Sequence, residues 1–248
     1  RDGAGNITQS VMALGETKNI PHAKSILTLL LLQAGTPITG YVAGELRPLL
    51  DATFGLTVMP SQAALDFYTQ FVNPTKPYYS WNRTLENAET SFTSGESAYY
   101  LGFASEYLVL KNKNPNLNFA VAPVPQSRVS GRSVTFGRLH AVSISRGTRN
   151  VTAAMNAALN LVSQPVALEI SQRLMLPSAR RDILGTKPTD AVLPVFYNGA
   201  LQAKGWLDPD SEATRQVFID MIESVTSGRA RLYEAVIAGN KELDNLIK

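Results

Sequence analysis

The residues with the most immediate chemical content are Gly95-Glu96-Ser97-Ala98-Tyr99. A glycine two residues before a serine, as in Gly-Glu-Ser-Ala, is how a nucleophile elbow begins. There a strand, a strained turn and a helix lift the hydroxyl toward a histidine. The flanking residues argue for something else. Glu89 to Ser94 is mostly polar and unlike a core strand, and Tyr99 stands where the second glycine of an elbow belongs. The residues from Ala98 onward, AYYLGF, have the character of a strand rather than a helix. A triad also needs a histidine after the serine in the usual chain order of such hydrolases, and only His140 is available. The segment reads as a turn that leads into a strand; a serine hydrolase using Ser97 is the alternative.

Other chemistries find less support. Two histidines more than a hundred residues apart, with no cysteine, offer no metal-ligand spacing, so no metal is expected. The carboxylate pairs Asp182 with Asp190 and Asp208 with Asp210 suit capping or solvated surface. No glycine-rich phosphate cradle occurs, and no cofactor is expected. Basic residues exceed acidic ones by only three (23 against 20) and are scattered, with Arg180-Arg181 among the longest groupings. Nucleic-acid binding needs several phosphates neutralised together, so it is not expected here. Without cysteine there are no disulfides, which leaves the compartment open.

The elements that must position these residues are mainly helices. Apolar residues at 44% against 17% charged describe a globular chain with enough length for a sizeable core. The run Ile26 to Leu32 is about half of a membrane span and reads as a buried helix over 22–34, stopped by Gly35 and Pro37. Ser61 is the expected N-cap of a helix to about Val72, followed by a YYSWN loop and a short helix over 86–92. Buried strands are expected at 98–103, 119–124 and 134–144, with a helix restarting over 105–111. Asn150 or Thr152 opens a helix to Val162, Pro165 starts another to near Met175, and 177–194 is irregular. Helices over 211–226 and 229–247 close the chain, separated by Gly228. Helices with short buried strands between them make an α/β pattern.

The order of these segments resembles the extracellular solute-binding proteins of ABC importers, in the oligosaccharide-binding group that includes maltose-binding protein. The residues that carry the likeness are Phe92, Gly95, Glu96 and Ala98, then Gly102, then Val121, Pro123 and Pro125. They continue with Gly137, Ala157, Leu161, Pro177 and Arg180-Arg181, so the resemblance spans nearly the whole chain. Tyr99 replaces the usual methionine. The chain also begins where the family's first lobe is already complete, an expected N-terminal truncation of about 130–150 residues. The resemblance implies a type II periplasmic-binding-protein-like α/β fold. Residues 1–142 and 197–248 would form the second lobe, and 143–196 the helical segment that returns to the first.

On this likeness the protein is a binding receptor for a small polar solute, a sugar first, and not an enzyme. It would deliver solute to an ABC permease, in the periplasm or outside the cell, with or without a lipid anchor. Gly95 would end a helix, and the following strand would reach the cleft at Gly102. There the backbone comes close, Phe103 offers a ring face, Ser105 caps the next helix and Glu106 accepts hydroxyl hydrogen bonds. Lys18 and Asn19 match a segment that turns into the cleft, Arg138 and His140 the strand crossing back, and Trp206 with Asp208 the approach to a stacking helix. Flat aromatic faces and planar polar groups together are what sugar rings require. With half of the cleft wall absent, this chain alone is expected to bind weakly or not at all, and to self-associate or repack through uncovered apolar helices. A structural or interaction domain that has lost its ligand is the third reading.

Overall fold

The computed structural model describes residues 2–3, 6–128, 131, 133–186 and 188–248. The chain opens with β1 (Ser10–Met12) and α1 (Ala23–Ala34), then a hairpin of β2 (Thr39–Val42) and β3 (Glu45–Pro48). Next come α2 (Pro60–Thr69), α3 (Ala88–Thr93), β4 (Ser97–Tyr99) and α4 (Tyr107–Lys113). After β5 (Thr135–Phe136) follow α5 (Val151–Leu161), α6 (Gln164–Leu174), α7 (Arg181–Leu184) and α8 (Leu193–Leu201). The chain ends with β6 (Ala203–Lys204), α9 (Ser211–Thr226) and α10 (Leu232–Ile247).

The ILTLLLL run lies inside α1, and ten of that helix's twelve residues are buried. A helix apolar on all sides must be covered on all sides. The chain meets this with α2, α9 and β5 against α1, and with α10 packed on α9, α2 and β3. Leu27, Leu31, Leu65, Phe218, Ile222, Val236 and Leu243 meet in this core with almost no exposure. Each such side chain contributes on the order of 1.5–3 kcal/mol of hydrophobic stabilisation. Trp81, from the YYSWN loop, is fully buried and donates its indole N–H to Asn19 Oδ1 at 3.0 Å.

The Gly95 turn forms as its residues predict. Gly95 has φ +83° and donates to the Phe92 carbonyl, and Glu96 N–H reaches back to the Ser91 carbonyl. That pair of bonds is the Schellman helix end, which the left-handed backbone of glycine permits. β4 then starts at Ser97 and pairs in parallel with β1, Ser10 opposite Ser97 and Met12 opposite Tyr99. The Ser97 hydroxyl is buried and donates to the Tyr99 carbonyl at 3.0 Å. The order is helix, turn, strand, the reverse of an elbow.

The strands are shorter and more exposed than the apolar runs suggest. β4 covers three residues, with Tyr99 61% exposed, because β1 is its partner and the described residues provide no second layer over that face. Residues 119–124 form no strand, and 134–144 yields only β5, two residues paired in parallel with β6. Leu139 and Val142 beyond it are exposed. Alternation predicts which side chains could be buried but not whether a neighbouring strand exists to bond the backbone.

Capping differs too. Pro60 begins α2 one residue ahead of Ser61, whose hydroxyl instead donates to the Leu50 carbonyl. Asn150 caps α5 as expected, accepting from Ala153 N–H at 2.9 Å. α6 begins one residue before Pro165, and the 177–194 stretch holds α7 and the start of α8. None of the residues of α5 is buried, and its principal neighbour is α6.

Candidate functional site

The first turn of α1 is where the expected site residues meet. Pro21 and His22 lead into that turn, and Lys24 and Ser25 are the polar residues that open an otherwise apolar helix. Three segments distant in sequence reach these side chains: the turn after β4, the strand β5, and the loop between β6 and α9.

From the first comes Glu106. Its Oε1 lies 2.7 Å from His22 Nε2 and accepts the Tyr100 hydroxyl at 3.0 Å, while Oε2 accepts Phe103 N–H at 2.6 Å. Burial pushes this carboxyl upward, but the hydrogen bonds from His22, the Phe103 backbone and Tyr100 outweigh it and hold it below the usual range. Tyr100 is pushed upward by burial and by the facing carboxylate, so it remains the proton donor of the pair. Both oxygens of Glu106 are therefore occupied inside the protein. Rather than a free acceptor for solute, Glu106 is a clamp that fixes the 102–106 turn. It also takes the capping role expected of Ser105, which is exposed. Gly102 is needed here, since a Cβ would stand 2.5 Å from Tyr100 Cε1 and 2.6 Å from Glu106 Oε2.

Phe103 lies edge-on to His22, ring centroids 5.3 Å apart at 88°, and 6.0 Å from the Phe136 ring of β5. Arg138 spreads over both rings, its guanidinium carbon 5.0 Å from the Phe103 centroid and 5.8 Å from that of Phe136. One Nη2 donor reaches Ser25 Oγ at 3.1 Å. Stacking and one hydrogen bond thus hold an exposed guanidinium in one orientation at the helix start.

The third segment brings Asp208 and Trp206. Lys24 is buried and donates to Asp208 Oδ2 at 2.6 Å, to the Ser211 carbonyl at 2.9 Å and to Thr214 Oγ1 at 2.5 Å. Thr214 in turn donates to Asp208 Oδ1 at 2.6 Å. Trp206 stacks on Phe218 with centroids 6.0 Å apart, and Lys24 Nζ lies 5.5 Å from its ring centre. This network ties α1 to the start of α9.

Phe103, Glu106, Arg138, Trp206 and Asp208 thus converge, with Gly102 beside them. The others stand apart. Asn19 is buried, its amide donating to the Asn82 and Leu85 carbonyls and its oxygen accepting from Trp81, so it braces the loop from within. Lys18 and His140 are exposed. Sequence reasoning missed His22, Lys24, Ser25, Tyr100 and Thr214. The signal for the helix residues was a lysine and a serine interrupting an apolar run, in a place where such residues are ordinarily read as a solvated first turn.

A cavity of about 400 Å³ lies elsewhere, between Ile7, Gln9 and Val11 and the loop carrying Lys76, Pro77 and Tyr79. None of the expected site residues lines it. Among the described residues, no cluster of histidine and carboxylate side chains could hold a metal ion, and no helix is long and apolar enough to cross a membrane.

No protein-family model matches this sequence, and no curated protein sequence matches it. Solved structures do. A crystal structure of a cyclo/maltodextrin-binding protein complexed with maltotetraose superimposes with a TM-score of 0.70 at 13% sequence identity. The match covers 90% of this chain and 57% of that one, so the chain spans little more than half the length of the protein it matches. At that identity the likeness is one of architecture, and it extends over nearly every element of the fold. The chain has the periplasmic-binding-protein-like α/β fold that the maltodextrin-binding protein displays.

Proposed function

We propose that this chain is the solute-recognising part of a carbohydrate receptor that serves an ABC importer outside the cytoplasmic membrane. The observation that carries the proposal is the meeting of Phe103 and Arg138 at the first turn of α1. It occurs in a fold shared with a protein solved around maltotetraose. An aromatic face and a planar cation are groups that sugar rings and their hydroxyl pairs require. Residues 1–142 and 197–248 form the second lobe on this reading, and 143–196 return to the first. Closure of the two lobes by hinge motion would complete the cleft and present the solute to a permease. The receptor would act in the periplasm or at the outer cell surface, with or without a lipid anchor. On this reading the chain supplies one wall of the cleft, so by itself it binds solute weakly or not at all, and its exposed apolar helices favour self-association or repacking.

Amide NMR of this chain, titrated with neutral and acidic oligosaccharides at millimolar concentration, tests the proposal. Shifts at Gly102 and Phe103 are expected, and Phe103→Ala should abolish them. Saccharide-induced shifts that spare Gly102 and Phe103, or that persist in Phe103→Ala, overturn the proposal. Labelling of Ser97 by a fluorophosphonate would instead point to the hydrolase.

A further inference from the structure

Resting on the carbohydrate reading, we infer that the solute carries a carboxylate and that Arg138 recognises it. The inference comes from how charge is distributed around the first turn of α1. Five other titratable groups lie on or against that turn, His22, Lys24, Tyr100, Glu106 and Asp208, and each has a partner within the protein. Glu106 is consumed by His22, Tyr100 and the Phe103 backbone. Asp208 is consumed by Lys24 and Thr214, and Lys24 directs its donors to Asp208, Ser211 and Thr214.

Arg138 is different. Among the described residues no carboxylate pairs with it, and its one hydrogen-bond partner is the neutral Ser25 hydroxyl. The residue is exposed, and its guanidinium lies over Phe103 and Phe136. A mobile surface arginine would have to give up side-chain entropy to bind an anion, and this one has already been ordered. Its fork matches the two oxygens of a carboxylate, and the Phe103 ring beside it suits the C–H face of the sugar that bears the group. A neutral sugar could use the ring and some of the donors but would make no ion pair with the guanidinium. The class of solute is therefore an acidic saccharide of the uronate type.

Calorimetry or NMR titration of this chain with tetragalacturonate, maltotetraose and glucose 6-phosphate separates the possible outcomes. Tetragalacturonate is expected to bind at least about tenfold tighter than maltotetraose, with the advantage shrinking as salt is added. Arg138→Gln should erase that ratio, whereas Arg138→Lys should restore part of it, keeping the charge without the fork. The ratio is the informative quantity, because loosening the Phe103 platform would weaken both sugars alike. Equal binding of the two tetrasaccharides, unchanged in Arg138→Gln, overturns the inference and leaves the sugar reading standing. Preferential binding of glucose 6-phosphate overturns the assignment of a carboxylate. Shifts from these ligands that spare the Gly102 and Phe103 amides and persist in Phe103→Ala remove both readings together.

Discussion

α1 and α5 are similar in length and nearly free of charge, yet one is the most buried of the described helices and the other has no buried residue. α1 reads AKSILTLLLLQA and α5 reads VTAAMNAALNL. Local propensity makes both of them helices, and each is bounded by a recognisable signal, Gly35 after α1 and Asn150 before α5. Their fates part at the next level. α1 is met by α2, α9 and β5, which come from three distant parts of the chain. α5 is met chiefly by the helix that comes after it. An apolar helix face shows that something should cover it, but what covers it is a property of topology.

The sharpest way to test that contrast is to remove one leucine from α1. Leu27 is fully buried in the core, and Leu27→Ala should cost about 2–5 kcal/mol, read from the midpoint of urea unfolding. A loss below about 1 kcal/mol would mean that the core around α1 is not packed in this way. The polar opening of the same helix comes next in size. Lys24→Met removes a buried cation and leaves Asp208 facing Thr214 alone. The expected cost is roughly 2–3 kcal/mol, at the low end of the range for buried pairs because Asp208 is a quarter exposed. The double variant Lys24→Met with Asp208→Leu should recover part of it, since the stranded carboxylate is then gone.

How far these features were legible depends on whether they are local. The ends of α1, α5 and α9 and the Gly95 turn all arise from residues within a few positions of one another. The strands at 119–124 and 134–144 do not, because a strand needs a partner's backbone and alternation cannot supply one. The site divides in the same way. Phe103, Arg138 and Trp206 were found through the likeness to solute-binding proteins. Their partners His22, Lys24 and Ser25 were hidden because a polar first turn normally faces water, and only the folded chain brings Glu106, Asp208 and Arg138 onto it.

Glu106 sets a pH dependence on the α1 side of the contrast. Its carboxyl is held below the ordinary glutamate range when folded. A group whose pKa is depressed by folding stabilises the native state above its unfolded value, about 4.3 for glutamate. That contribution disappears as the pH falls through the lower, folded value. Stability measured by urea unfolding should therefore drop on acidification below about pH 4.3, and Glu106→Gln should flatten this part of the profile. An acid limb unchanged in Glu106→Gln would show that the clamp does not form in solution.

The smallest effect belongs to α5 and bears most directly on what distinguishes it. Val151, Met155, Leu159 and Val162 recur at helical spacing, all are exposed, and α5 has no charged side chain to interrupt the stripe. Removing exposed apolar area alters the folded and unfolded chains almost equally, so Leu159→Ser should change unfolding stability by no more than about 0.5 kcal/mol. The same substitution should lower concentration-dependent self-association in sedimentation velocity, because the stripe loses its central contact. The two measurements together separate a face that awaits a cover from one already covered. A cost near that of Leu27→Ala would place Leu159 in a core, whereas an unchanged sedimentation profile would move the association surface away from α5.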